Sequence, residues 1–430
     1  MASGKIHFIG IGGGALNGLA QVMAARGWLV TGSDLRAEGP VIDRLREQGI
    51  TVFSGHAATN VAADVNQVII SSAVVAGPGA VEVEAAEKLG IPIYKRTELW
   101  RRLSGGAKIA VAVAGSHGKT TTTAMIGHIL AVAGLDPTVL VGGEVPDFGG
   151  TVRVGSPDVI VVEADEYDRA FHSLRPTLGV IVNVDYDHPD TYATPAAYEQ
   201  GFRKFARAVR RRSGRLLLNG HDQFLRREFK HWRGGITWFD PTGAWPGVKL
   251  QVPGSHLAGN ALAAGKVAHY LGVDSVTIKR ALRSWRGVSR RFEPVGECSG
   301  LKVFDDFAHH PTEVAANIKT AREAWGQVAV LFQPHQGVRT ERFATDFATV
   351  LKEADHVALL PIYRVAGREG DNQTTEAAIA QLLPQATVLA ENAGAVADWC
   401  ASLYKEGFRQ LLAMGAGTVS ALVREACHDE

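Results

Sequence analysis

Residues Ile109–Val113 are apolar without a break and run through Ala114-Gly115-Ser116-His117-Gly118-Lys119-Thr120 into Thr121-Thr122-Thr123-Ala124-Met125-Ile126, which begins a helical pattern. A fully apolar strand emptying through two glycines into a helix points to a parallel sheet covered on both faces. Glycines let backbone N–H groups come close to phosphate oxygens, and the helix N-terminus adds positive potential. Lys119 can neutralise phosphate charge, and the Thr120 hydroxyl can ligate magnesium. The general phosphate-loop pattern has glycine five positions before Gly118, where this chain has Val113, so the loop is the shorter G-x-x-G-K-T form.

The same strand-to-loop transition occurs twice more. Lys5–Ile9 leads into Gly10-Ile11-Gly12-Gly13-Gly14, and Val328–Phe332 leads into Gln333-Pro334-His335. With 430 residues, 46% of them hydrophobic, several cores can be buried. The fold class expected is α/β in three domains: a Rossmann-like N-terminal domain over 1–105, a central P-loop ATPase domain over 106–292 and a Rossmann-like C-terminal domain over 293–430. In the first, strand 5–9, a helix near 15–26 and strand 28–32 make one βαβ unit. Further strands lie near 67–71 and 91–94, and Leu103-Ser104-Gly105-Gly106 reads as a linker. In the second, a helix follows the phosphate loop to about Ala133, strands lie at 158–163 and 178–183, and a helix holds Asn260 to Ala268. In the third, strands lie near 301–305, 328–332, 355–360 and 411–414.

Charge excludes some partners. Forty-five basic against 44 acidic residues leave a net charge of +1, so neither nucleic acid nor an anionic membrane is the expected partner. The basic run Arg207–Arg212 reads as a solvated helix face. Cys298, Cys400 and Cys427 are far apart in sequence, which argues against a disulfide framework or zinc site and fits a reducing compartment. The N-terminus lacks a signal-peptide core, and no apolar run reaches the roughly 18 residues of a membrane helix. The expectation is a cytoplasmic protein.

Carboxylates cluster after two of the central strands. Strand 158–162 delivers Glu163-Ala164-Asp165-Glu166, and strand 180–183 leads to Asp185-Tyr186-Asp187-His188. Side chains at the C-terminal ends of parallel strands face the crevice where ligands bind. Glu163 suits magnesium as a hard oxygen ligand, and His188 suits a second metal or a phosphate oxygen. The first glycine loop, Gly10-x-Gly12-x-x-Ala15 with Asp34 after the second strand, matches a dinucleotide fingerprint. Read alone it indicates NAD; it could equally hold the diphosphate of another nucleotide. A third cluster joins Arg290-Arg291-Phe292-Glu293 to Asp305-Asp306-Phe307-Ala308-His309-His310-Pro311-Thr312. There a guanidinium suits phosphoryl charge and a carboxylate suits ribose hydroxyls.

Together these motifs resemble the Mur ligases along nearly the whole chain. The resemblance rests on Ile9-Gly10-Ile11-Gly12-Gly13, Thr31-Gly32-Ser33-Asp34 and Ser71-Ser72-Ala73, then on the phosphate loop, Glu163-Ala164-Asp165-Glu166, Asn183 and Asp187-His188-Pro189-Asp190. It continues through Gly254-Ser255-His256 with Asn260, Arg290-Arg291-Phe292-Glu293, Asp306–Glu313, and Phe332-Gln333-Pro334-His335 with Arg339-Thr340. It is greatest to the branch that joins L-alanine to UDP-N-acetylmuramate, using ATP and Mg2+ through an acyl phosphate.

That resemblance implies the following roles. Lys119, Glu163, His188 and Arg291 serve catalysis, with Thr120, Glu163 and His188 at the metal. Gly115, Ser116, His117, Gly118, Lys119, Thr120, Thr121, His256, Asn260, Arg291 and Asp306 hold ATP. Gly10, Gly12, Gly13, Asp34 and Ser72 hold the UDP-sugar, and His309, His335 and Arg339 hold the amino acid. It further implies a monomer or weak homodimer with UDP-N-acetylmuramate and L-alanine as its partners.

The chain departs from the family pattern at several places. Ala15-Leu16-Asn17-Gly18 stands for Gly-Met-Ser-Gly, Leu257 for asparagine, Phe307 for tyrosine and Gln336 for arginine. Phe202 occupies the position of the lysine that other branches carbamylate. Three alternatives stay open at this stage: a murein peptide ligase joining a tripeptide to the same nucleotide sugar, an NAD-dependent oxidoreductase, and a non-catalytic nucleotide switch.

Overall fold

The computed structural model describes residues 4–71, 77–189, 191–232, 234–365 and 372–428. The chain folds around three sheets. The first has five parallel strands: β1 (Lys5–Ile9), β2 (Leu29–Asp34), β3 (Thr51–Ser54), β4 (Gln67–Ile70) and β5 (Ile93–Lys95), in the order β3-β2-β1-β4-β5. The second has seven: β6 (Ile109–Ala114), β7 (Pro137–Val145), β8 (Gly150–Arg153), β9 (Ser156–Glu163), β10 (Leu178–Ile181), β11 (Arg215–Asn219) and β12 (Gly235–Phe239). Their order is β12-β11-β10-β6-β9-β7-β8, with β8 antiparallel at the edge. The third has β13 (Glu293–Cys298), β14 (Leu301–Asp306), β15 (Ala329–Phe332), β16 (His356–Leu359), β17 (Thr387–Val388) and β18 (Gln410–Met414), in the order β13-β14-β18-β15-β16-β17, with β13 antiparallel.

Three sheets fix where ligand groups gather, because loops at the carboxyl ends of parallel strands line the crevices. β6 lies between β9 and β10, with Val113 paired to Glu163 and Ala114 to Ile181. The phosphate loop, the Glu163 segment and the Asn183 segment therefore leave the sheet side by side. In the third sheet β18 separates β14 from β15, and Met414 pairs with both Asp306 and Phe332.

The strands and helices expected from apolar patterning form within a few residues of their expected bounds. Leu103-Ser104-Gly105-Gly106 differs: it is the last turn of the helix Arg96–Gly106. Trp100 and Leu103 are buried there, in a core cluster that also holds Ala110 and Ile160, so this helix packs the first sheet against the second. Arg212 differs from a solvated residue too. Its guanidinium donates to the carbonyls of Ser104 (2.8 Å), Arg175 (2.8 Å) and Ala107 (3.3 Å), capping that helix end, whereas Arg207, Arg210 and Arg211 are exposed. Edge strand β8 and its neighbour β7 join the first two bodies: Arg44 donates to Glu144 Oε1 at 2.7 Å and to the Gly149 carbonyl at 2.8 Å. Among the described residues no helix is long and apolar enough to cross a membrane.

Candidate active site

The phosphate loop is shaped by its glycines and held by Asn183. Gly118 sits at φ 76° as the residue before the helix Lys119–Val132, and a Cβ there would lie 2.9 Å from Asn260 Oδ1. Asn183 Oδ1 accepts from the His117 amide at 2.9 Å, and its Nδ2 donates to the His117 carbonyl at 3.1 Å. Ser116 Oγ donates to the Asp185 carbonyl at 2.6 Å. The first N–H groups of an α-helix lack intrahelical acceptors, which suits them to a phosphate, and here the loop that leads into them is fixed from behind.

Lys119 folds over this loop, donating to the carbonyls of Gly115 (2.7 Å) and Ser116 (3.0 Å) and to Glu166 Oε1 (3.0 Å). Burial pulls its amine down, but Glu166, Asp165 and Glu163 together outweigh that and hold it protonated. Thr120 Oγ1 donates to Glu163 Oε1 at 2.9 Å, and the Gly142 amide donates to Glu163 Oε2 at 2.6 Å. Burial raises the Glu163 and Asp165 carboxyls above their usual range. His188 lies at φ 54°, with Nε2 3.5 Å from Glu166 Oε1; Asp187 and Glu166 raise its pKa against burial.

Across the crevice the third domain presents Glu313, a hub that sequence reasoning left without a role. It lies 3.5 Å from both His117 Nδ1 and Arg291 Nη1, and its Oε2 accepts from the His309 amide at 3.3 Å. These cations hold the Glu313 carboxyl well below its usual range despite burial. In the sequence it stood only as the last residue of the Asp306–Glu313 motif, with no role of its own; the structure places it in the first turn of the helix Pro311–Trp325. Asp306 accepts from the amides of Phe292 (2.8 Å) and Ala308 (2.7 Å), and burial pushes its carboxyl up to about 6. His256 is pushed down to about 4 by burial and by Arg291, and His309 to about 4 by burial and by Arg339.

These residues enclose two adjoining spaces. One of about 720 Å³ is lined by the phosphate loop, Glu163, Asp165, His188, Arg291, His309 and, unexpectedly, Ser420 and Arg424. The other, about 180 Å³, is lined by Gly118, Thr121, His256, Leu257, Asn260, Asp306 and Asn317. A third, about 230 Å³, runs from Gly14, Ala15 and Gly18 of the first domain past Arg96 and Trp100 to Glu163 and Asp165. Glu163 and Asp165 are walls of both the first and the third spaces.

Arg339 and His335 are not among the residues lining the large space. Arg339 is buried, and its Nη2 and Nε donate to Asp187 Oδ1 at 2.9 and 3.2 Å, while His335 Nδ1 lies 3.1 Å from Arg339 Nη1. Asp187 of the second domain and Arg339 of the third form a buried pair across the crevice. Gln336 starts the following helix at φ 67°, its amide donating to the Tyr363 carbonyl. In the first domain, Gly10 (φ 82°) and Ile11 both donate their amides to the Ser33 carbonyl, and Gly12 donates to Asp34 Oδ2 at 2.9 Å. Gly13 precedes the helix Gly14–Ala25. Ser72 lies outside the described residues.

His117 is the clearest pH-dependent clasp. Burial lowers its pKa, but Asp185 (Nε2–Oδ2 3.1 Å) and Glu313 raise it to about 9, against 6.5 for the free side chain. The folded state therefore holds more protons between these values. The stabilisation is fully present below pH 6.5 and is lost as pH rises through 9. Urea unfolding of ligand-free protein should show stability falling by on the order of 3 kcal/mol between pH 6.5 and 9.5, with most of that slope absent in His117→Asn. An equal slope in the variant would assign it to other groups.

The sequence matches the family models described as Mur ligase family, catalytic domain, over residues 5–107; Mur ligase middle domain, over 113–240; and Mur ligase, glutamate ligase domain, over 290–417. It is 38% identical over 386 residues to a UDP-N-acetylmuramate–L-alanine ligase of Chlorobaculum tepidum, covering 84% of this chain and 80% of that protein. It is 38% identical over 432 residues to one of Nocardioides sp., covering 97% and 94%. The fold superposes on the UDP-N-acetylmuramate-alanine ligase of Thermotoga maritima with TM-score 0.76 at 27% identity, covering 98% of each chain. A murein peptide ligase of Psychrobacter arcticus shares the fold with TM-score 0.71 at 22% identity. Three successive domain matches, a phosphate loop walled by two carboxylates and relatives alike over most of their length lead to one conclusion: this chain belongs to the Mur ligase family.

Proposed function

We propose that the chain is an ATP-dependent ligase that joins the amine of L-alanine to the lactyl carboxylate of UDP-N-acetylmuramate. The observation that carries this reading is the shared wall at Glu163 and Asp165. A space leading from the first domain's glycine loop meets the phosphate-loop space there. A carboxylate arriving from a nucleotide sugar and a γ-phosphate arriving from ATP would therefore meet at one place.

In the first step the lactyl carboxylate oxygen attacks the γ-phosphorus, the bond to the β-bridging oxygen breaks, and ADP leaves with those electrons. In the second the alanine amine attacks the acyl carbon, and the tetrahedral adduct collapses by expelling phosphate as the nitrogen loses a proton. Lys119, held cationic by its carboxylates, stabilises the charge that spreads over the transferring oxygens. Arg291 presents a second cation from the opposite wall. The loop amides orient the β-phosphate. Asp306, with Asn260 and His256 nearby, borders the smaller space, which suits a ribose and base.

The residues present fit a divalent cation. Thr120 Oγ1 and Glu163 Oε1 sit 2.9 Å apart as hard oxygen donors, and Asp165, Glu166 and His188 form a group able to hold an ion. Magnesium bound there would offset phosphate charge. Closure of the third domain over the second, through Asp187–Arg339 and His117–Glu313, would exclude water from the acyl phosphate. His309, His335 and Arg339 are the side chains assigned to the incoming amino acid, and Gly10, Gly12, Gly13 and Asp34 those assigned to the UDP-sugar. The same reading places the protein in the cytoplasm as a monomer or weak homodimer.

The deciding experiment is phosphate release across a panel of acceptors with UDP-N-acetylmuramate. L-Alanine should exceed L-alanyl-γ-D-glutamyl-diaminopimelate by at least about tenfold in kcat/KM, which is about 1.4 kcal/mol. Preference for the tripeptide would reassign the acceptor, and no phosphate release with any amine would reject ligase activity.

Phe202 carries a second expectation. It lies on the buried face of the helix Pro195–Arg210, stacked edge-on against Phe171 and Tyr198 at 5.4 and 5.2 Å. A phenylalanine side chain carries no amine to form a carbamate. Activity at mildly acidic pH should be unchanged by added bicarbonate. A clear bicarbonate requirement would mean another lysine takes that role.

A further inference from the structure

The three cysteines, 298, 400 and 427 in a 430-residue chain, converge in the third domain. Cys298 ends β13, Cys400 lies in the helix Ala393–Lys405 and Cys427 lies in the helix Val419–His428. All three belong to or pack on one apolar cluster. Cys298 lies within hydrogen-bonding reach of both other thiols, and these contacts, Cys400 first, pull its pKa down. Gly296, two residues earlier on β13, makes room for Cys427: a Cβ at Gly296 would sit 3.0 Å from Cys427 Cβ and 3.4 Å from its Sγ. The three sulfurs do not fall among the groups that could hold a metal ion within the described residues, so Cys298 is a hub with two separate neighbours rather than one corner of a preformed metal site. Access differs as well. Cys298 and Cys400 are buried, whereas Cys427 is partly exposed.

We propose that Cys427 and Cys298 form a peroxide-driven disulfide site, with Cys400 positioning Cys298. The Cys427 sulfur attacks one oxygen of hydrogen peroxide. The O–O bond breaks, leaving Cys427 sulfenic acid, and the departing hydroxide takes up the thiol proton as water. The Cys298 sulfur then attacks the Cys427 sulfur and displaces hydroxide, which leaves as water with the Cys298 proton. In sum two thiols and one peroxide give one disulfide and two waters. Cys400 remains reduced, its S–H donating to Cys298 and favouring the attacking thiolate. The link joins β13 to the helix of Ser420 and Arg424. Arg424 already pairs with Glu293 at the other end of that strand, at 2.8 Å, so the disulfide fixes both ends of one strand–helix contact beside the large space.

The test is intact-mass measurement and non-reducing peptide mapping of the full chain after graded hydrogen peroxide. Wild-type protein should lose about two mass units per chain by the balance above, yield a peptide joining Cys298 to Cys427, and regain both thiols with dithiothreitol. Cys427→Ser and Cys298→Ala should abolish the link. Cys400→Ala should form the same link at least about threefold more slowly. Circular dichroism of each variant confirms that its fold is kept. Stable sulfenic or sulfinic acid at Cys427 without a link, a link through Cys400, or an unchanged mass loss in Cys298→Ala would overturn the proposal. The measurement involves no ligase assay, so it stands or falls separately from the proposed reaction.

Discussion

Lys119→Ala should lower kcat by two to three orders of magnitude, the scale of removing one preorganised charge from a transition state. The amine also does structural work, because Glu166 is fully buried and takes it at 2.9 Å. Removing one partner of a buried pair leaves an uncompensated charge, costing roughly 3–5 kcal/mol. Two effects are therefore mixed in the single variant, and Lys119→Ala with Glu166→Gln separates them. The double variant should recover most of the lost stability in urea unfolding while its turnover stays low. Turnover returning along with stability would show that Lys119 serves the fold and not the phosphoryl group.

Arg339→Ala should raise the KM for L-alanine by about a hundredfold and the KM for ATP by no more than about threefold, consistent with losing a charge-assisted carboxylate contact. The geometry makes this a demanding prediction. In this structure the Arg339 fork is filled by the Asp187 carboxylate from the other side of the crevice, and Asp187 is held well below its usual range by Arg339 and His188 against burial. For Arg339 to hold a substrate carboxylate, that carboxylate must share or replace Asp187. Asp187→Asn should then weaken domain closure, seen as a larger radius of gyration in small-angle scattering, with a smaller rise in the alanine KM than Arg339→Ala. A proportional rise of both KM values in Arg339→Ala would confine the residue to closing the domains.

Much of the site was legible in the sequence because chemistry and backbone geometry coincide there. A glycine-rich turn between an apolar strand and a helix needs particular residues at fixed positions, so Gly115–Thr120 can be read locally. Glu163 ends β9 and Asp185 follows β10, and strand order alone brings them beside that loop. Other features depended on which surfaces met. Arg212 looked like one arginine of a solvated run until a helix end was packed against it. Leu103–Gly106 looked like a linker because glycines punctuate sequence, yet two apolar side chains facing a core outweigh the roughly 1 kcal/mol cost of each helical glycine. The edge pair β7–β8 carries no strong alternation, and its pairing with β9 and with the first domain is tertiary.

What the sequence by itself determined is the set of local rules: three apolar strand-and-loop openings, one phosphate loop, and acidic and cationic clusters at strand ends. Only the tertiary structure decided which charges neutralise one another. Glu313 became a hub for His117, Arg291 and His309, Arg339 closed on Asp187 152 positions away, and three distant cysteines became neighbours. The physical reason is range. Backbone preference and periodicity act over a few residues, whereas a charge or thiol acquires its partner, and with it its pKa, only when separate elements pack within a few ångströms.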